Sequence, residues 1–286
     1  MRPRALVVGG DGRIARALIP ALARDGYEVV ATSRRKAGAL ALDLEEVARS
    51  GSVALPACDV AFVCAALPSY AACRRDEAAA RAINADAPAV LAHALRTQGA
   101  HLVLLSTNGV FDGRVPFRPA SDAPDGATAY GRSKADAEAR VRAIDASAAV
   151  LRLTRVFCPG EPLLAGWAGA LRRHAHVSAF SDMVAAPVAS DHVVAALLAI
   201  ARQRCTGVLQ LSACREVTYV EIARHIATRV GAPPELVDPE PAASRGIAPG
   251  EAPRHASLEC TADLARYGIA PIEPLDVVDA VLGLAR

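Results

Sequence analysis

Aromatic residues are scarce in this chain: they make up 4% of its 286 residues, with a single tryptophan, Trp167. Its core must therefore come from Ala, Val, Leu and Ile, which dominate the 52% of residues that are hydrophobic. That aliphatic bias suits buried parallel strands covered by Ala-rich helices. An excess of charge of one sign is missing too. The formal net charge is +2, and the basic residues, mostly Arg, are scattered among Asp and Glu. With no long basic run, electrostatic binding of nucleic acid or of a membrane surface is excluded. No apolar stretch approaches the roughly 18–20 residues of a membrane span. There is no internal repeat and no low-complexity tail. Seven cysteines (58, 64, 73, 158, 205, 214 and 260) form an odd set without a C-x-x-C pair. They read as reduced thiols. Met1-Arg2-Pro3-Arg4 runs straight into a strand-like segment and does not resemble a signal peptide. A soluble, cytoplasmic protein of one large or two modest domains is expected.

What is present begins with Ala5-Leu6-Val7-Val8, an apolar run of strand length. Gly9-Gly10-Asp11-Gly12-Arg13-Ile14-Ala15 follows, and then an amphipathic stretch to Arg24. Strand, glycine turn and helix are the context of a dinucleotide-binding fingerprint. Gly9 suits the tight turn, Gly12 the close approach of backbone to a pyrophosphate, and Ala15 close helix–strand packing. Arg13 and Ile14 open the helix, whose free N–H groups attract phosphate. A second strand, Tyr27–Ser33, ends in Arg34-Arg35-Lys36. An NAD site would place an acidic residue there, whereas Ser33, Arg34 and Arg35 suit a 2′-phosphate, so NADP(H) is favoured over NAD(H). Leu40–Leu44 reads as a third strand with Asp43 and Leu44 at its cofactor end. Val60–Ala66 reads as a fourth, whose small Ala65 and Ala66 let a cofactor pass close. A long helix is expected over Asp76–Arg96, containing Asn84 and bent or split at Pro88.

His101–Thr107 reads as a fifth strand ending in two hydroxyls, and alternation lets only one of Ser106 and Thr107 meet a substrate. Strands alternating with helices predict a doubly wound parallel α/β sheet, with ligands beyond the strands' carboxyl ends. A Gly/Pro/Asp-rich loop, Asn108–Thr128, leads to Ala129-Tyr130-Gly131-Arg132-Ser133-Lys134 at the head of a helix. Tyr130 and Lys134, four residues apart, share one helix face. An ammonium beside a phenol is expected to lower its pKa and make it a proton donor. A sixth strand, Ala149–Leu153, closes the first part. Residues 155–185 carry Trp167 and a basic helix with Arg172, Arg173, His174 and His176. The two histidines, at i and i+2, do not face each other, and no metal site is expected. Further elements are a helix at Asp191–Ala201 capped by Ser190, a strand at Gly207–Leu211, and a helix to Val230 capped by Thr218. A proline-rich stretch at 231–256 and a last helix at Leu275–Leu284 complete the chain.

Several blocks together resemble the extended short-chain dehydrogenase/reductases, and within them the dTDP-4-dehydrorhamnose reductase branch. These are Gly9–Ala15, Ser106-Thr107-Asn108-Gly109-Val110-Phe111-Asp112-Gly113, Tyr130/Lys134, Ile83–Pro88, Leu151–Phe157, Ala186-Pro187-Val188 and Arg254–Leu258. The resemblance implies a Rossmann domain over 1–154 plus about 186–212, a smaller substrate lobe over 155–185 and 213–274, and a closing helix over 275–286. It implies that Thr107 holds a substrate carbonyl, that Tyr130 is the proton donor, and that Lys134 binds the cofactor ribose and tunes Tyr130. A nucleotide-sugar substrate is implied, contacted by Asn108, Arg155, Trp167 and Arg172, with a homodimer left open. The branch usually carries Asp-Tyr where this chain has Asn108-Gly109, a tryptophan at Arg155, and Arg-Pro at Arg254-His255. An NADPH-dependent keto-sugar reductase is the leading expectation. An epimerase or dehydratase of the same superfamily, and a non-catalytic NADP-binding regulatory subunit, are the alternatives.

Overall fold

The computed structural model describes residues 2–35 and 39–284. The chain divides into two compact units. One comprises Met1–Phe111, Ala120–Leu153 and Val194–Gln210; the other comprises Asp112–Pro119, Thr154–Val193 and Leu211–Arg286.

In the first unit the aliphatic runs become β1 (Arg4–Val8), β2 (Glu28–Ser33), β3 (Leu40–Ala41), β4 (Val60–Val63), β5 (His101–Thr107) and β6 (Ala149–Leu153). With Gly207–Leu211 they form one seven-stranded sheet, in the order Gly207–Leu211, β6, β5, β4, β1, β2, β3. From β3 to β6 every pairing is parallel. The order reverses between β1 and β4, the switch point outside which such sheets bind ligands. Alternation divides the strands' side chains between two faces. Leu6, Val8, Ala61, Val63, Leu102, Leu104 and Val150 pack with Leu91 and Leu95 and with Ala137 and Val141 from two covering helices. Their neighbours Val7, Phe62, Val103 and Leu151 are equally buried on the other side.

The helices of this unit are α1 (Arg13–Arg24), α2 (Leu44–Ser50), α3 (Tyr70–Arg75), α4 (Glu77–Arg81), α5 (Ala87–Thr97) and α6 (Ala129–Ile144). Two depart from the sequence-based expectation. The third strand stops at Ala41, because the Asp43 carboxylate accepts the Glu45 N–H and caps α2 instead. The long helix over Asp76–Arg96 becomes α4, a π-turn at Ala82–Asp86, and α5. Pro88, in the first turn of α5, has no N–H for the Asn84 carbonyl, and its ring crowds that carbonyl. The wider turn, closed by Ala87 N–H to Ala82 C=O, relieves the conflict.

The second unit carries helices at Pro162–Arg172, Tyr219–Arg229, Thr261–Tyr267 and Pro274–Leu282. Thr218 caps the second of these through a full capping box with Glu221. Val177–Phe180 pairs with Val237–Glu240, Val156–Phe157 with Val188–Ala189, and Val184–Ala185 with Val217–Thr218. None of these short pairs was expected, since two to four residues carry too little periodicity to read. The expected basic helix stops at Arg172. His174 follows at φ 55°, and His176 pairs with Asp238 at 3.0 Å. Ser190 is the first residue of its helix rather than its cap. Among the described residues, no helix is long and apolar enough to cross a membrane, and no group of three or more His, Cys, Asp or Glu could hold a metal. All seven cysteines are free.

One buried polar cluster links sheet to helix in the first unit. Glu138 of α6 and Arg152 of β6 form a two-pronged ion pair, closest at 2.7 Å, with side chains 4% and 2% exposed. Ser106 donates to the same carboxylate, and the Arg152 guanidinium also covers the Phe111 ring, 4.9 Å from its centroid. Removing one partner of such a pair strands the other charge, at a cost of about 3–5 kcal/mol. Glu138→Gln is therefore expected to lower the urea midpoint severely. The double change Glu138→Leu/Arg152→Met should recover much of that loss; a single variant as stable as wild type would contradict this account.

Candidate active site

The glycine turn is pinned at the carboxyl end of β1. Gly9 N–H donates to the Thr32 hydroxyl at 3.0 Å and Gly10 N–H to the Thr32 carbonyl at 2.8 Å. Gly9 has φ 87°, and a Cβ on it would lie 2.6 Å from the Ala65 Cβ and 2.9 Å from Ala65 backbone atoms. Glycine is thus required there by conformation and by space. Gly12 sits at the head of the 12-residue α1 without a side-chain cap, and no acidic residue lies in the first turn. Its N–H groups and positive dipole end suit a diphosphate. Ala15 is fully buried, as its packing role requires.

Beyond β2, the Ser33 hydroxyl donates to the Asp11 carboxylate and accepts the Arg35 N–H. Nothing in residues 32–36 announces the Asp11 contact. Arg34 and Arg35 are exposed; Lys36 lies outside the described residues. Ala65 and Ala66 follow β4, with Ala65 N–H bonded to Val8 C=O. Asp43 commits one oxygen to its helix cap, and Leu44 is buried in the core, so only its backbone is left to meet a ligand.

The three residues expected to carry chemistry all belong to the first unit. Thr107 ends β5 and caps the 3-10 turn Asn108–Val110, accepting the Gly109 N–H at 3.1 Å. Its hydroxyl also draws the pKa of the Tyr130 phenol down. Ser106, one residue earlier, turns the other way and serves Glu138. Thr128 caps α6 through the Gly131 N–H, which puts Tyr130 in the first turn and Lys134 one turn on. The start of α6 presses on the 3-10 turn: a Cβ on Gly131 would overlap the Gly109 carbonyl, and one on Gly126 would lie 2.7 Å from that same oxygen. No other residue fits at either position without moving the turn.

Asn84 belongs to this site although the sequence offered it only as a residue inside a helix. Fully buried in the π-turn, it donates to the Ser133 hydroxyl at 3.1 Å, and Ser133 donates to the Tyr130 carbonyl at 2.8 Å. Asn84 also accepts the Leu67 N–H at 2.7 Å. A buried polar residue four positions before a proline was a usable signal. Tyr70 was not legible: its ring meets Tyr130 edge-on, 5.2 Å between centroids.

Burial governs the charges. Lys134 is 2% exposed, and its pKa is pulled down to about 8, by desolvation first, with Glu138 and Cys64 pulling back. The Tyr130 phenol is pushed well up by burial and by Tyr70, while Thr107 draws it down. The expected depression of Tyr130 by Lys134 is not found: the neighbours that move the phenol are Tyr70, Thr107 and Cys73, and desolvation outweighs them. Beside Lys134, burial pushes the Cys64 thiol up to about 12.

In the second unit, Trp167 is 8% exposed and lines a cavity of about 240 Å³ with Phe180, Tyr219, Leu163, Glu240 and Arg245. Arg155 reaches Glu161 at 3.4 Å, lies over the Phe157 ring and lowers the Tyr219 pKa against the larger effect of burial. Arg172 is an exposed residue at the helix end. Asn108 accepts from the Thr107 hydroxyl at 3.4 Å.

Comparison with known proteins follows this geometry. The family model for the RmlD substrate binding domain matches residues 3–281. A dTDP-4-dehydrorhamnose reductase of Mycobacterium tuberculosis (strain CDC 1551 / Oshkosh) is 30% identical over 283 residues, 95% of this chain and 88% of that protein. A probable dTDP-4,6-dihydroxy-2-methyloxan-3-one 4-ketoreductase of Streptomyces antibioticus is 30% identical over 246 residues, 82% of this chain and 80% of that one. The crystal structure of dTDP-4-dehydrorhamnose reductase from Bacillus anthracis in complex with NADP has a TM-score of 0.83 at 18% identity, covering 98% and 99% of the two chains. That likeness establishes the doubly wound fold.

The position of Lys134 has a thermodynamic consequence. A pKa of about 8 in place of 10.5 corresponds to roughly 3 kcal/mol spent on holding the ammonium near neutral pH. The sign follows: the strain is full below about pH 8 and is relieved as pH rises towards 10.5. Lys134→Met is expected to raise the melting temperature of the cofactor-free protein at pH 7, and to raise it less at pH 9.5. A lower melting temperature at pH 7 would show that the ammonium is a net stabiliser.

Proposed function

The chain belongs to the RmlD substrate binding domain family, and from that premise we propose that it is an NADPH-dependent reductase of a keto group on a nucleotide-linked deoxysugar, with Tyr130 as proton donor. One observation carries the reading: the Thr107 hydroxyl acts on the phenol of a half-buried tyrosine that has a buried lysine one helical turn away, and Thr107 itself ends β5 of a doubly wound sheet. The residues fit the cofactor. Gly9 and Gly12 leave a cradle that side chains would fill, and α1 offers its uncapped N-terminus to the diphosphate. Arg34 and Arg35, which follow β2 with no acidic residue beside them in sequence, favour a 2′-phosphate and hence NADP(H) over NAD(H).

When bound, the cofactor supplies hydride. The remaining work falls to side chains. Thr107 orients the keto oxygen. Tyr130 gives that oxygen its proton, and its raised pKa keeps the proton in place until a strongly basic oxygen is there to take it. The phenolate left behind is held by the Thr107 hydroxyl and by the Lys134 ammonium. Asn84 and Ser133 fix the backbone of Tyr130 so that the phenol does not swing away. In the second unit, the cavity around Trp167, Phe180 and Tyr219, with Arg245 at its wall, suits the flat base and the charge of a nucleotide. Such an enzyme acts on cytoplasmic sugar nucleotides.

Two outcomes are expected. Tyr130→Phe lowers kcat by about 10²–10⁴-fold on a thymidine-diphosphate 4-keto-6-deoxyhexose, followed by NADPH absorbance, with NADPH affinity kept. Retained turnover would remove Tyr130 from the mechanism. In the wild type, kcat/KM for NADPH falls as pH rises through about 8, because Lys134 loses its proton there. Lys134→Met lowers and flattens that profile; a decline of unchanged shape in the variant would assign the titration to another group.

A further inference from the structure

In sequence no acidic residue stands beside Arg34 and Arg35, yet the fold brings one there. Asp11 belongs to the glycine turn, one residue before Gly12 and the head of α1. Three hydrogen bonds lay that turn along the carboxyl end of β2. Gly9 N–H donates to the Thr32 hydroxyl, Gly10 N–H to the Thr32 carbonyl, and the Ser33 hydroxyl to the Asp11 carboxylate. Gly12 N–H closes the turn on the Gly9 carbonyl at 3.0 Å. A Cβ on Gly10 would lie 3.0 Å from the Ala31 Cβ and 3.2 Å from the Thr32 carbonyl oxygen, so the turn lies close against β2. Asp11 is exposed, but its backbone is held on both sides and its carboxylate is drawn to the strand end. In a dinucleotide-binding sheet that strand end holds the adenosine ribose, and an acidic residue there accepts the 2′-hydroxyl.

We propose that Asp11 is a specificity-determining residue of the cofactor site: it stands in for the acidic residue missing from the end of β2, accepts the 2′-hydroxyl of an unphosphorylated ribose, and keeps NAD(H) usable beside the favoured NADP(H). This rests on the dinucleotide reading of the glycine turn given above. A carboxylate offers about four acceptor positions, so holding Ser33 leaves room for a ribose hydroxyl. Towards a 2′-phosphate the same carboxylate is repulsive, whereas the exposed Arg34 and Arg35 attract it. Opposite charges therefore bear on one ribose position. The arginines favour the phosphorylated cofactor, and Asp11 limits the margin.

The test measures dissociation constants of the full chain for NADH and for NADPH by calorimetry, with no sugar present. Asp11→Asn keeps an oxygen for the Ser33 hydroxyl and removes only the charge. It should weaken NADH about tenfold and tighten NADPH about threefold, so that the preference for NADPH widens. The double change Arg34→Gln/Arg35→Gln should narrow it. An unchanged ratio in Asp11→Asn overturns the proposal, and so does an equal loss of both cofactors, which would make Asp11 a prop of the turn alone. A wild type that binds NADPH but not NADH overturns it as well. A wild type that binds neither refutes the dinucleotide reading and the proposal with it. The expected ratios without turnover of any keto-sugar would refute the reductase reading and uphold this one.

Discussion

The site depends on a contact between two stretches of backbone. The Gly109 carbonyl lies against Gly126 and Gly131 so closely that a single carbon on either would collide with it. Through that contact the turn after β5 and the first turn of α6 become one rigid piece, and Thr107 and Tyr130 are carried on its two halves. A hydrogen bond between two side chains can stretch or rotate. A carbonyl wedged against two glycines cannot, so the distance between hydroxyl and phenol is set by steric exclusion rather than by attraction.

Around this wedge the protein tolerates electrostatic cost. Lys134 is buried, pulled towards neutrality by desolvation, and only partly compensated by Glu138 one turn on. Glu138 is already committed to Arg152 and Ser106. An ammonium sharing a carboxylate with a guanidinium is poorly paired by design of the packing, and it remains available to a ligand. Lysine is otherwise nearly missing from the chain, which has only Lys36 and Lys134 against thirty arginines. Arginine satisfies the chain wherever a fixed charge suffices; at position 134 a compact charge with an adjustable pKa is retained.

Much of this was legible in the residues. β5 and β6 fell where their aliphatic runs placed them, Thr107 ends β5, and Tyr130 and Lys134 stand at the head of the helix that the sequence placed there. Legibility failed where tertiary contacts override local pattern. Leu42 to Leu44 look like strand, yet the Asp43 side chain is a good enough cap to start a helix. The direction of the Tyr130 shift was misread because spacing reveals a neighbouring charge but not the loss of water around it. Tyr70 meets Tyr130 from a distant part of the chain with no period or motif to mark it, and Asp11, though inside the glycine turn, gives no sign there of its contact with Ser33. In the second unit, two-residue strands are created by their partners and have no signature of their own.

The division of the chain into its two units has a consequence for how such a protein can change. The backbone passes between the units five times, at 111/112, 119/120, 153/154, 193/194 and 210/211. One of these excursions, eight residues from Asp112 to Pro119, leaves and returns within the loop between Thr107 and Tyr130. A single genetic crossover cannot exchange one unit for a homologue's and keep the other whole. The second unit must therefore diverge by point substitution and loop replacement, in step with the first, rather than by wholesale transplantation.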